Sequence, residues 1–280
     1  MKKNISNYRT EIMTRLEEKS ELWRNCQILK ESINYTLLNY GKFIRSIIFL
    51  LGLEEFNIFP DKYLDVACAI EMLQSYTLIH DDLPEMDNAT TRRNKVANHL
   101  IYGHSIALLS GDALLTNTFF VLSKLKINKD HKLALISLFA EKAGTSGVCY
   151  GQTLDILNQN TGFQSWNEIE QMIGYKTCCL FELAFQAIGI IANLGQEKLD
   201  NLEKLGYLYG LAFQIKDDLE DDQDTKNQVG YMNYQQIFGI TKTKDKINHL
   251  IEKIKEVYAQ IFKEHNTLLS FLEETLKVKE

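Results

Sequence analysis

Between residues 4 and 30 the apolar side chains Ile5, Tyr8, Ile12, Leu16 and Trp23 recur at helical intervals. One stripe at that spacing predicts an amphipathic helix with a single core-facing side. A second helical pattern runs through ESINYTLLNYGKFIRSIIFLLGL and breaks near Gly41. Pro60 and Asp61 open a third, which continues through YLDVACAIEMLQSYTLIHDD. It is apolar on most sides, as a central helix is, and Pro84 ends it because proline cannot donate the next helical hydrogen bond. Further helices are expected over roughly 103–126, 130–158, 166–193 and 197–223, with an exposed charged tail from about 241. No stretch shows the alternation of a strand bounded by hairpin turns. The pattern predicts an all-α chain, a bundle of long helices around a central cavity.

Composition narrows this further. Only two of 280 residues are proline and 45% are hydrophobic, so long helices and a large core are both within reach. No linker or repeat divides the sequence, which reads as one domain, 1–280. The net charge of −6 argues against a nucleic-acid surface but not against a local basic pocket for a small anion. Five cysteines form no C-x-x-C pair. The charged N-terminus lacks a signal peptide's apolar stretch, and runs such as SIIFLLGL are too short to span a bilayer. A cytoplasmic protein without a membrane span is expected.

Two acidic clusters carry the chemistry. In IHDDLPEMDNATTRRN, Asp81, Asp82, Glu85 and Asp87 crowd the C-terminal end of the central helix, where the macrodipole disfavours negative charge. In GLAFQIKDDLEDDQD, Asp217, Asp218 and Asp221 share one helix face, so like charges repel. Either cluster alone reads equally well as a solvated helix end. Two of them, each crowning an apolar helix, point to a divalent cation. Mg²⁺ takes oxygen ligands from a few carboxylates and completes its shell with water and phosphate oxygens. A diphosphate bridging such ions becomes a better leaving group. Neither cluster has EF-hand spacing. Cations suited to phosphate stand nearby in sequence or in separate segments: Arg92 and Arg93, Lys42 and Arg45 in YGKFIRS, and Lys176 in GYKTCC.

These segments together resemble the trans-isoprenyl diphosphate synthases, and more closely the bacterial farnesyl diphosphate (geranyltransferase) type. LIHDDLPEMDNATTRR resembles the first aspartate-rich motif, with four residues between Asp82 and Asp87, and GLAFQIKDDLED the second. GKFIR, SGDALLTNTF, GVCYGQTLDI and the Lys176–Thr177 pair are similar to four further motifs, in family order from about residue 40 to 240. The resemblance implies an all-helical homodimer that condenses isopentenyl diphosphate head to tail with an allylic diphosphate, dimethylallyl or geranyl. It implies Mg²⁺, three ions, with Mn²⁺ as the alternative. By position, Asp81, Asp87 and Asp217 would ligate the metal, with Asp82, Asp218 and Asp221 in or next to its shell. Arg92, Lys176 and Gln214 would hold the allylic diphosphate. Lys42, Arg45, Gln74 and Arg93 would hold isopentenyl diphosphate, while Thr177 and Gln152 face the reacting region. No protein nucleophile is needed, so His80 and His99 read as structural.

The sequence departs from the family pattern in places. Ser46 stands where a proline is usual, Cys178 where a glycine is, and Tyr231 where a lysine completes the allylic pocket, with Lys226 nearby. Tyr76, five residues before Asp81, resembles the aromatic floor that stops chain growth at farnesyl length. Farnesyl diphosphate is the expected product. Alternatives are a geranyl diphosphate synthase and a non-catalytic regulatory subunit of such a synthase. A terpene cyclase, a third class, would carry a different second metal motif from DDLED.

Overall fold

The computed structural model describes residues 5–23, 25–39, 41–161, 165–220, 233–263 and 266–278. The described chain is almost entirely α-helical. It forms two compact units, Met1–Leu50 with Phe59–Ile136, and Leu51–Ile58 with Ser137–Glu280.

The first unit is built on α4 (Leu64–Asp81), preceded by α1 (Ile5–Ser20), α2 (Gln27–Leu37) and the start of α3 (Ile44–Glu55). After α4 come a short hairpin, β1 (Thr91–Arg92) and β2 (Lys95–Val96), then α5 (Asn98–Tyr102), α6 (His104–Ser123) and the start of α7 (Lys129–Ala143). Twelve residues of α4 are buried, from Val66 to Ile79, on every side of the helix. That is the expected central element, and α6 packs along it. The N-terminal stripe ends earlier than its apolar pattern predicted. Tyr8, Ile12 and Leu16 are buried in α1, but Trp23 lies in a separate 3-10 turn (Glu21–Trp23) before α2. A buried polar network ties α2, α5 and α6 together. Ser110 Oγ donates to Ser32 Oγ (2.7 Å), Ser32 Oγ to Asn98 Oδ1 (2.8 Å), and Asn98 Nδ2 to Thr36 Oγ1 (2.9 Å). Each of these hydroxyls and amides is satisfied, which is the condition for a buried polar group to be tolerated. The hairpin is the one exception to the strand-free expectation among the described residues. It is two residues long on each side, too short to show alternation.

The second unit contains α8 (Val148–Thr161), α9 (Trp166–Ile173), α10 (Cys179–Ile191), α11 (Gln196–Glu220), α12 (Tyr234–Phe238), α13 (Ile240–Ile261) and α14 (Thr267–Leu276). The helix expected over 130–158 divides into α7 and α8 around Gly144 and Gly147. The one expected over 166–193 contains a π-helical turn, Gly174–Cys178, between α9 and α10. The exposed tail expected from 241 is instead α13, which buries Ile247, Leu250, Ile254, Val257 and Ile261 at helical spacing. Its charged residues hid that stripe. Glu55 accepts the Leu268 N–H (3.0 Å) and so caps the first turn of α14. Two helices, His104–Ser123 and Trp166–Ile191, are long and apolar enough to cross a membrane, longer than the runs read from sequence. The second is mostly buried, as a core helix is; the first keeps Leu108, Leu109 and Phe120 exposed.

Candidate active site

In the first unit α4 ends at Asp81, and its last carbonyls need partners. Successive turns supply them. The Asp82 N–H donates to the Leu78 carbonyl (3.3 Å), Leu83 to His80 (3.1 Å) and Asp87 to Asp81 (2.9 Å). The last bond folds residue 87 back onto residue 81, so the four-residue spacer around Pro84 brings the main chains of the two aspartates together. Both side chains keep partial access to solvent.

Asp82 turns inward instead. It is buried, and Arg92 Nε and Nη2 both donate to its Oδ1, at 2.8 and 2.5 Å. Burial pushes the Asp82 carboxyl up, while the Arg92 charge pulls it back. Burial also disfavours the Arg92 cation, but its bond to Asp82 and the charges of Asp82, Asp81 and Asp87 prevail and hold it firmly protonated. Arg92 lies on β1, and the hairpin turn consists of Arg93 and Asn94 with φ of +51° and +60°. Positive φ at both positions is the signature of a type I′ turn, common for asparagine and costly for arginine. The Arg93 guanidinium lies over Gly41, where a Cβ would sit 2.9 Å from Nη1, and it donates to the Asn39 carbonyl (3.4 Å). The GKFIR segment and the arginine pair, about fifty residues apart, therefore meet. Within that segment Phe43 has φ +50° just before α3, Lys42 is exposed and Arg45 half-buried.

Gln74 lies half-buried on α4, its amide 3.4 Å from Thr77 Oγ1. Tyr76 is buried with its ring edge-on to His80, centroids 5.7 Å apart. His80 Nε2 is 2.9 Å from the Leu108 carbonyl on α6 and sits where a side chain on Gly111 would be, 2.1 Å from the Cβ position. His99 is buried, edge-on to His104 at 5.4 Å.

In the second unit the π turn positions Lys176 and Thr177. A Cβ on Gly151 of α8 would meet the Lys176 nitrogen at 2.2 Å, and one on Gly210 of α11 would meet Cys178 Cα at 2.8 Å. Two glycines thus let neighbouring backbones close on the extra turn, a feature common at functional sites. Lys176 Nζ pairs with Asp155 Oδ2 at 2.5 Å. Thr177 Oγ1 donates to Gln214 Oε1 (3.0 Å), and Gln214 Nε2 donates to Asp218 Oδ1 (3.0 Å). Asp218 is buried and Asp217 partly exposed. Gln152 is buried with neither side-chain amide atom bonded. Asp221, Lys226 and Tyr231 lie outside the described residues.

Among the described residues no three metal-binding side chains converge into a ready-made cluster. Two polar residues escaped the sequence reading. Asp155 was only part of a quoted motif, and Glu71 was one acid in an apolar run. The signal for Glu71 was available: a carboxylate buried on all sides demands a partner.

The polyprenyl synthetase family model matches residues 26–237. A farnesyl diphosphate synthase of Micrococcus luteus is 35% identical over 240 residues, 82% of this chain and 81% of that protein. A geranylgeranyl diphosphate synthase of Cyanophora paradoxa is 32% identical over 260 residues, 89% and 87% of the two chains. Among solved structures, an apo FPP/GFPP synthase from Zymomonas mobilis superimposes with a TM-score of 0.82 at 28% identity, covering 98% of this chain and 99% of that one. A geranyltranstransferase from Thermotoga maritima gives 0.81 at 28% identity, covering 97% and 96%.

Proposed function

We propose a function for this chain from one premise: it belongs to the polyprenyl synthetase family. It condenses isopentenyl diphosphate with an allylic diphosphate, dimethylallyl or geranyl, and releases diphosphate. The observation that carries this is the pairing of phosphate-binding cations with local acids beside both aspartate segments: Arg92 on Asp82, Lys176 on Asp155.

The donor set suits Mg²⁺. Asp81 and Asp87 offer only hard oxygens on adjoining main chain, and Asp217 and Asp218 do so on α11. A ready-made cage is unnecessary, because Mg²⁺ binds through one or two carboxylates and keeps waters and substrate phosphates for the rest. In this reading Asp81 and Asp87 would ligate metal at the first segment and Asp217 at the second, with Asp218 and Asp221 beside Asp217; three ions, with Mn²⁺ as substitute, belong to the same proposal. When bound, the metal neutralises the departing diphosphate. Asp82 holds Arg92 rather than competing for metal. Arg92, Lys176 and Gln214 take the allylic diphosphate, and Lys42, Arg45, Gln74 and Arg93 the isopentenyl diphosphate. Breaking the allylic C–O bond leaves a delocalised cation. The Thr177–Gln214 pair and the unbonded Gln152 amide supply dipoles near it. The isopentenyl double bond attacks, forming the C–C bond, and the proton lost from its C2 passes to the released diphosphate.

Product length is finer than likeness decides, since the similar proteins include farnesyl, geranylgeranyl and FPP/GFPP synthases. The buried Tyr76 supports a farnesyl product, with geranyl diphosphate as the near alternative. A homodimer and a cytoplasmic location belong to the same reading, as does one polyprenyl synthetase domain spanning 1–280. The dimer is supported by an exposed apolar stripe on α5 and α6: Leu100, Ile101, Leu108, Leu109 and Phe120.

The test is an assay of purified protein with isopentenyl diphosphate and either primer, with Mg²⁺ or with EDTA, read by mass spectrometry. A Mg²⁺-dependent fifteen-carbon diphosphate is expected. No product from either primer would leave the non-catalytic subunit as the better reading.

A further inference from the structure

Glu71 is the most deeply buried acid of the first unit outside the aspartate segment, and the chemistry above makes no use of it. It sits mid-helix in α4, one turn before Gln74, among Val66, Ile70, Met72 and Leu73, all buried. Ser46, in the first turn of α3, is buried too, with its Oγ 2.6 Å from Glu71 Oε1 and 2.8 Å from the Ala67 carbonyl. A buried carboxylate is tolerated only with hydrogen bonds and opposite charge. Burial does push the Glu71 carboxyl up, and the Ser46 bond and the charges of Arg45 and Arg93 pull against it. The relation is mutual. Burial drives the Arg93 guanidinium down, Glu71 is the charge that supports it, and Arg92 works the other way.

Three segments therefore converge on one carboxylate: α3 through Arg45 and Ser46, the hairpin turn through Arg93, and α4 itself. Arg93 is held over Gly41 with φ +51°, a conformation that needs external support. We propose that Glu71, fixed by the Ser46 hydroxyl, is a positioning residue that sets Arg45 and Arg93 for the diphosphate of isopentenyl diphosphate. The inference rests on the reading of Arg45 and Arg93 as ligands of that substrate. Ser46 stands where the resembled family usually has proline, which has no hydroxyl, so the bond to Glu71 is a feature of this chain. Without the carboxylate, Arg93 loses the charge that offsets its burial, Arg45 loses the same opposite charge, and their arrangement is lost. The allylic side is untouched, because Arg92 has its own partner in Asp82 and Lys176 has Asp155.

The test varies each substrate against saturating co-substrate for wild type, Glu71→Gln, Ser46→Ala, Ser46→Thr and Arg93→Gln. Glu71→Gln keeps the shape and an acceptor for Ser46 while removing the charge. The KM for isopentenyl diphosphate is expected to rise about tenfold in Glu71→Gln and about threefold in Ser46→Ala, the allylic KM staying within about twofold. Ser46→Thr, which retains the hydroxyl, restores the wild-type value. Equal rises in both KM values would mean general loosening and overturn the role. A fall in the isopentenyl KM would show Glu71 to be a repulsive charge, and also overturns it. A rise in Arg93→Gln without one in Glu71→Gln removes the positioning role alone. No rise in Arg93→Gln removes the ligand reading beneath it. If Glu71→Gln does not fold, Ser46→Ala against Ser46→Thr decides by the same threefold split.

Discussion

Tyr76 shows how much one side chain has to do in a helix buried on all sides. Its ring rests against His80, and His80 in turn is locked by the Leu108 carbonyl and by the absence of a side chain at Gly111. The ring is thus braced from behind, which is what a barrier to a growing hydrocarbon requires. Tyr76→Ala removes the ring and leaves the brace. The main product is expected to lengthen by at least one five-carbon unit, read by mass spectrometry of the diphosphates or their alcohols. An unchanged product distribution would show that the ring is core packing only. The same residue-scale logic separates Asp82 from Asp81 and Asp87. All three are aspartates within seven positions, yet only Asp82 is buried against a guanidinium.

At the scale of elements, glycines and buried charges decide where helices may approach. The π turn between α9 and α10 is closed on by Gly151 and Gly210, and so delivers Lys176 and Thr177 to Asp155 and Gln214. The three helices α7, α10 and α11 are joined by Lys142, which is buried and bonds Glu182 Oε2 at 2.6 Å and Glu203 Oε1 at 2.7 Å. Burial opposes the charge on Lys142 and on Glu182 alike. The two carboxylates together keep the lysine protonated, while Glu182 remains pushed up despite it. Lys142→Met strands the Glu182 carboxylate and is expected to cost about 3 kcal/mol in denaturant unfolding at neutral pH. Adding Glu182→Gln to that variant is expected to recover most of the loss. If the single substitution were silent, the three-residue cluster would be no more than a surface ion pair.

On the scale of the whole molecule, α6 exposes Leu108, Leu109 and Phe120 and the neighbouring α5 exposes Leu100 and Ile101, apolar side chains that a water-facing helix would not carry together. A second copy of the chain is the occupant proposed to cover them. Leu109→Glu is expected to halve the mass seen by light scattering, since a charge placed in a desolvated interface has no partner. A wild-type protein that is already monomeric at micromolar concentration would exclude the dimer.

Several features of this protein were determined by the sequence itself. A helix apolar on most sides identified α4 as central, and the few prolines pointed to a mainly helical chain. The improbable crowding of carboxylates at two apolar helix ends pointed to a cation and a diphosphate. These are local properties: a stripe, a missing N–H, like charges on one face. The tertiary structure decided what depends on who lies opposite. The stripe Ile247, Leu250, Ile254, Val257 and Ile261 of α13 was present at helical spacing among many charges, and the fold decided that it is covered rather than exposed. The pairing of Asp82 with Arg92, of Lys176 with Asp155, and of Arg93 with Gly41 spans 10 to 52 positions and depends on turns whose geometry no periodicity records. Glu71 is the clearest case. In sequence it is one acid among apolar neighbours; in the fold, burial makes its charge costly, and the Ser46 hydroxyl and the charges of Arg45 and Arg93 offset that cost.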